Sequence, residues 1–230
     1  MNIGCEGCAS FVSSQFQAAG ETGTETTGRR AVTISRQAGC GALAVAEKLA
    51  RYLQEQPPKH AVPWTVFDRN LMDKVLEDHD LPKRLAQFLP EDRISYLEDI
   101  MADLLQTYPP SRTVVRQTTE TILKLASVGN VILIGRGGNV ITARLPNIFH
   151  VRLVAPLEER IEHSHKSYGM TKAEARKFCL REDLGRKRYL KKYFNADIND
   201  PLLYHLIINT GLVGYDDAAK LIGDAMLNQG

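Results

Sequence analysis

The segment Ala31-Val32-Thr33-Ile34-Ser35, the turn Arg36-Gln37-Ala38-Gly39-Cys40-Gly41 and the spaced residues Leu43, Ala46, Leu49, Ala50 and Leu53 constrain the fold more than any other stretch. A short β-branched run bounded by polar residues reads as a buried strand, and apolar residues at helical spacing read as a helix, here ending before Pro57-Pro58. The element is therefore strand, tight loop, helix. A loop that delivers a strand into a helix N-terminus presents unpaired N–H groups, and the helix dipole favours negative charge there. Gly39 and Gly41 let the backbone approach a phosphate without an intervening Cβ. Short glycine turns also join strands to helices without binding anything, so the loop by itself leaves both readings open.

Further strands are expected at 64–67, 131–134, 149–153 and 206–209, separated by helical segments. Strands alternating with helices give a parallel sheet covered on both faces through right-handed crossovers. The expected architecture is α/β, a doubly wound domain of five strands, with a mostly helical insert from Asp68 to Pro110 and helices over 156–192. A last helix near 216–227 carries Ala218, Leu221, Ile222, Ala225 and Met226 and closes the core. Residues 1–30, rich in Ser, Thr, Gly, Gln and Glu, have little to bury and read as a flexible leader to a domain over 31–230.

A length of 230 residues suits one α/β domain, and 43% apolar residues supply its core. Apolar stretches such as Val131 to Ile134 fall far short of the ~20 residues a membrane-spanning helix needs. The N-terminus lacks a basic and then apolar signal pattern, so the expected location is the cytoplasm, with no membrane partner. Cysteines 5, 8, 40 and 179 make no disulfide framework, and the lone Cys5-Glu6-Gly7-Cys8 pair lacks the partners of a zinc site. No metal-ligating set is expected. Cys40 sits among loop N–H groups that could lower its pKa, although a small filler beside the glycines is the preferred role.

The net charge of +2 is unremarkable, but residues 171–192 hold nine Lys/Arg against three Asp/Glu. A local cationic segment in a nearly neutral chain points to an anionic ligand. Nucleic acid is not the expected partner, since aromatic stacking residues beyond the tyrosines and a docking motif are missing. Arg136 follows an apolar strand and precedes two glycines, which places it at the carboxyl edge of the sheet, where a guanidinium can grip a phosphate bidentately. Asp68 also follows a strand; it can orient an acceptor, hold magnesium through water, or cap a helix starting at Arg69, itself a candidate phosphate contact. Tyr189 and Tyr193 share a helix face and read as packing. His163 and His165 make no catalytic pair, and no hydrolase motif is present.

Ile34-Ser35-Arg36-Gln37-Ala38-Gly39-Cys40-Gly41 resembles the ISRxxGSGG loop of the cytidylate-kinase-like family. The resemblance continues through Phe67 to Leu71, Gly135-Arg136-Gly137-Gly138, Ala155 to Arg160, Asp183-x-x-Arg186-x-x-Tyr189-x-x-x-Tyr193 and Asp200 to Thr210. It implies a P-loop NTPase-like three-layer α/β/α domain with a five-stranded parallel sheet, a monophosphate-binding insert at about 68–112 and a helical lid at about 166–195. It further implies ATP and Mg2+ as cofactors and a nucleotide as substrate. The implied roles are cofactor binding by Arg36, Gly39, Cys40, Gly41, Ala42 and Leu43, and substrate binding by Asp68, Arg69 and Arg136. Arg181, Asp183, Arg186 and Arg188 would form the lid, with Arg36, Arg136 and Arg186 catalytic; Arg160 and Arg176 are weaker candidates.

The loop departs from GxxxxGK[ST]: Ala42 stands at the Lys position, Leu43 at the hydroxyl position and Arg36 at the first Gly. The related family also lacks that Lys, but it usually places an Arg where this chain has Leu43. Two readings follow, a kinase of the cytidylate type in which Arg36 or Arg136 supplies the missing charge, and a nucleotide-binding regulatory protein without kinase activity. No oligomeric state follows from the sequence.

Overall fold

The structure is a computed structural model describing residues 29–56, 62–68, 85–86, 89–107 and 113–229. Strand β1 (Ala31–Arg36) leads through the glycine loop into α1 (Ala42–Glu55), then β2 (Thr65–Phe67), α2 (Glu91–Thr107), α3 (Thr113–Val128) and β3 (Val131–Ile134). A short helix α4 (Gly138–Ile141) precedes β4 (Ile148–Val154), α5 (Leu157–Tyr168) and α6 (Lys172–Phe194). A 3-10 turn (Pro201–Leu203), β5 (Leu206–Asn209) and α7 (Tyr215–Leu227) complete the described elements. The five strands are all parallel, in the order β2-β3-β1-β4-β5.

Period-two alternation divides the sheet into two packed faces. Val32 and Ile34, with Ile132, Phe149, Val151 and Leu153, pack against Val45, Leu49 and Leu53 of α1 and Ala218, Ile222 and Met226 of α7. The opposite parity, Ala31, Val131, Leu133 and Ile148, meets Leu97 and Ile100 of α2, Ile122 and Leu125 of α3, and Phe194 at the end of α6. A three-layer α/β/α sandwich results. The loop between β1 and α1 therefore emerges from the central strand at the carboxyl edge of the sheet, where open α/β folds bind ligands.

One parity of β1 and β4 breaks the apolar pattern. Thr33 lies beside His150 and Ser35 beside Arg152 in the parallel register, so these polar residues form one patch on one face of the sheet. All are buried. Helix α6 and the segment after it cover the patch, and its hydrogen bonds explain how it survives there.

Helix α6 is long for its sequence because both ends are capped. Thr171 and Glu174 form a reciprocal capping box at its start, and Asn195, left-handed at φ 46°, ends it. Basic residues Lys191 and Lys192 in the last turn complement the helix dipole. No helix among the described residues is long and apolar enough to cross a membrane.

Candidate functional site

Three cavities near the carboxyl edge of the sheet share the Arg36 side chain, and the two larger are a loop cavity and an inner cavity. The loop cavity, of about 430 Å³, is lined by residues 36–44 together with Glu47, Asp68, His163, Tyr168, Phe178 and Arg186. The inner cavity, of about 360 Å³, lies between the polar patch of β1, Arg136 and Asn139, and the α6 residues Arg181, Glu182, Arg186 and Tyr189. Both fall within the ~300–1,000 Å³ typical of small-molecule sites. Arg36 and Arg186 line both of them.

The loop is held from three sides. Gly41, with φ 75°, is the N-cap of α1, and a Cβ there would fall within the Tyr215 ring. The cap is a glycine and offers no side chain to the amides at the head of α1, where the helix dipole favours an anion. Thr210 Oγ1 donates to the Cys40 carbonyl at 2.9 Å, tying the loop to the end of β5. Gly39 backs onto the Arg160 carbonyl and the Ser164 hydroxyl of α5. The third tie is ionic. The Ala38 N–H donates to Asp183 Oδ1 at 2.7 Å, and Asp183 Oδ2 pairs at 2.6 Å with Arg160, whose side chain is 7% exposed. Arg160 also donates to the Ala38 carbonyl at 3.1 Å and the Ala155 carbonyl at 3.0 Å. Asp183 thus connects α6 to the loop, and Arg186 joins it at 3.2 Å.

A second network fixes the floor of the inner cavity. Arg152 Nη1 donates to Ser35 Oγ at 3.0 Å and Nη2 to Asn199 Oδ1 at 3.0 Å, with the guanidinium 5.7 Å from the Tyr204 ring centroid. Ser35 and the Tyr204 hydroxyl are 3.2 Å apart, and Tyr204 donates to the Ile198 carbonyl at 2.9 Å. A carbonyl only accepts, so the single Tyr204 proton is used there and Ser35 donates to Tyr204. The two hydroxyls of this network, Ser35 and Tyr204, are both satisfied, which lets the buried Arg152 sit among neutral groups.

Thr33 Oγ1 meets His150 Nδ1 at 2.8 Å, and the His150 backbone N–H donates to His205 Nδ1 at 2.8 Å. Burial, with a smaller contribution from His205, pushes the His150 pKa down to about 4. The folded state therefore resists protonation that the unfolded chain accepts near pH 6.5. Stability conferred by neutral His150 is complete above that pH and is lost as pH falls toward 4. Urea unfolding should show a loss of roughly 3 kcal/mol across this window from this group, and His150→Gln should flatten the dependence. An unchanged pH profile in the variant would exclude His150 as its source.

The expected site residues distribute unevenly. Arg36, Gly39, Cys40, Gly41, Ala42, Leu43 and Asp68 line the loop cavity, and Arg136 and Arg181 the inner one. Asp68 and Arg136, grouped by the sequence at one acceptor site, thus face different cavities. The reason is strand order: Asp68 follows the edge strand β2, whereas Arg136, in a left-handed backbone at φ 54°, turns toward α6 from β3 beside the centre. Arg188 is exposed and lines neither cavity. Arg69 and the Cys5/Cys8 pair lie outside the described residues. Burial outweighs the nearby arginines at Cys40 and pushes its thiol up to about 11, which suits the filler role. Tyr189 packs against Tyr193 at 5.1 Å and also lines the inner cavity.

Leu43 is 47% exposed and lines the loop cavity. Among the described residues no group of three or more His, Cys, Asp or Glu could cage a metal. Asp68 and Glu47 are the carboxylates of the loop cavity. Mg2+ commonly uses one or two carboxylates together with nucleotide phosphates, so this donor set fits an ion carried by a nucleotide. Arg152 and Asn139 were not among the expected site residues; the polar parity of β1 and β4 was the available signal for Arg152.

An all-parallel α/β/α sandwich with a glycine-bent loop at the end of its central strand is consistent with a P-loop NTPase-like kinase fold. The chain belongs to the cytidylate kinase-like family, whose model matches residues 31–212. It is 30% identical over 182 residues to a cytidylate kinase of Pyrococcus horikoshii, covering 78% of this chain and 79% of that protein. It is also 31% identical over 107 residues to a uronate isomerase of Corynebacterium glutamicum, covering 46% of this chain but only 20% of the isomerase. In structure it resembles an uncharacterized protein from Eubacterium ventriosum, with a TM-score of 0.67 at 19% identity over 87% of this chain and 99% of the other.

Proposed function

We propose that this protein is an ATP-dependent nucleotide kinase, with the ATP triphosphate in the loop cavity and a nucleoside monophosphate of the cytidylate type in the inner cavity. The observation that carries this reading is that Arg36 and Arg186 line both cavities. A phosphoryl group passing between two bound nucleotides crosses their boundary, and two guanidiniums there neutralise charge on its equatorial oxygens. Family membership supports a nucleotide-kinase-like function. The relationship to a cytidylate kinase supports the choice of acceptor.

In this reading an oxygen of the acceptor phosphate attacks the γ-phosphorus as the bond to the β–γ bridging oxygen breaks, leaving ADP and a nucleoside diphosphate. The attacking phosphate is largely dianionic at pH 7, because its second pKa is near ~6, so no general base is needed. Arg136 and Arg181 orient the acceptor, while the head of α1, with its favourable dipole, holds the donor's phosphates. Asp68 and Glu47 would hold Mg2+, which would supply further neutralisation of the donor's phosphate charge. The stretch 166–195 acts as a lid over both nucleotides and 68–112 as the acceptor-side insert, in a domain over 31–230 with 1–30 as leader. The arginines stand in for the missing loop lysine.

Leu43 favours a second reading, a binding protein without turnover, because an apolar side chain sits in the cavity where a cation is expected. Incubation with ATP-Mg2+ and CMP, dCMP, UMP or AMP separates the two. The kinase gives ADP and a diphosphate in equal amounts; ATP binding by calorimetry without products establishes the second reading and refutes the first.

A further inference from the structure

Asn139 is 5% exposed, lines the inner cavity, and its Nδ2 is buried with no acceptor among the described residues. A buried amide donor without a partner is uncommon, and one lining a cavity is suited to a ligand. The neighbouring polar groups are already engaged: Thr33 with His150, and Ser35 with Arg152 and Tyr204. The geometry is asymmetric. Buried, uncharged residues line the deep end, Thr33, Ile34, Asn139, Leu190 and Ile198, whereas Arg181, with its side chain 75% exposed, marks the mouth. Arg36, Arg136 and Arg186 add positive charge, and Glu182 is engaged with Arg181 and Arg186, each at 3.6 Å.

A ligand that complements these walls has an anionic head at the arginines and a neutral, planar tail that brings a hydrogen-bond acceptor to Asn139, with the Tyr189 ring available as an apolar wall. We propose that Asn139 is a specificity-determining residue, donating through Nδ2 to a carbonyl oxygen of a pyrimidine base in the inner cavity. This rests on the reading of that cavity as the nucleoside monophosphate site. Its place is held by close packing, since Gly138 of α4 abuts the Thr33 side chain and Gly137 abuts the Phe194 ring. The side chain therefore meets the ligand with little rearrangement.

The test is calorimetric titration of the full chain with CMP and with ribose 5-phosphate, which keeps the anionic head and lacks the base. Wild type is expected to bind CMP at least about tenfold more tightly than ribose 5-phosphate, the worth of a hydrogen bond made in a buried site. Asn139→Ala, and the nearly isosteric Asn139→Asp, which has no amide donor, should lose that preference while retaining ribose 5-phosphate affinity within about twofold. Retained binding of the sugar phosphate also shows that the variant is folded. CMP affinity unchanged in both variants, or wild type that does not distinguish the two ligands, overturns the role of Asn139 and leaves the kinase reading standing. Wild type that binds neither ligand overturns the monophosphate site itself, and the inference with it.

Discussion

Replacing Arg186 with alanine should lower phosphoryl transfer by about 10³-fold, the scale on which a positioned arginine stabilises a transferring phosphoryl group. Its side chain is 22% exposed and anchored to Asp183 at 3.2 Å and Glu182 at 3.6 Å, so the guanidinium is already oriented at the boundary of the two cavities. Preorganised charge avoids reorganisation during the reaction, which is why the loss should fall on kcat more than on KM. Arg186→Lys keeps the charge but not the forked geometry and should recover only part of the rate. Arg36→Ala should behave similarly, because that guanidinium lies against Gly135 between the same two cavities. Lys220→Ala, an exposed change on α7, provides the baseline. Steady-state kinetics with ATP and the acceptor varied separately give the split; a KM effect with kcat intact would reduce Arg186 to a binding contact.

The largest stability effect is expected at Arg160. Its guanidinium makes one ion pair and two bonds to carbonyls in a nearly closed environment, holding α5, α6 and the loop together. Arg160→Met removes all of these and leaves Asp183 with only part of its compensation, so about 3 kcal/mol of stability should be lost. For a chain of this size that corresponds to a Tm lower by roughly 10 °C. Removing both charges, as Arg160→Met with Asp183→Leu, should be less damaging than Arg160→Met alone, since much of the cost is the stranded carboxylate. Thermal unfolding of the single and double variants checks this. A double variant no more stable than the single one would show that the carbonyl bonds, and not the ion pair, carry the effect.

Much of the frame was legible because it depends on local pattern. The strand at Ala31, the glycine loop and the helix through Leu53 occupy adjacent sequence, and their residue types report their own conformations. Asp183 and Arg186 were singled out by the motif resemblance, and they pair at i and i+3 on one helix. Arg152 was not, because its role follows from the register that sets it beside Ser35 across two strands separated by more than a hundred residues. Reading β1 by parity, with Thr33 and Ser35 on one face and Val32 and Ile34 on the other, would have indicated a polar face. The same parity in β4, His150 and Arg152, shows the matching polar face, but the register that pairs the two is not written in local sequence. Arg160 belongs to a helix whose other charges are solvent-exposed, and only the approach of the Ala38 carbonyl and Asp183 makes it different. Asn139 carries meaning solely through an absent partner, a property that belongs to three-dimensional packing.

The claim on which the account turns is that the two cavities adjoin, so that one phosphoryl group can be reached from both. A dinucleotide joining adenosine and cytidine through a polyphosphate bridge measures this directly, because a ligand that fills both sites gains the second contact at high effective concentration. Its affinity by calorimetry should exceed that of ATP or CMP alone by about a hundredfold or more, and bound ligand should exclude both mononucleotides. Affinity no greater than that of ATP alone, with CMP still able to bind, would contradict the adjoining sites and with them the transfer that Arg36 and Arg186 are placed to serve.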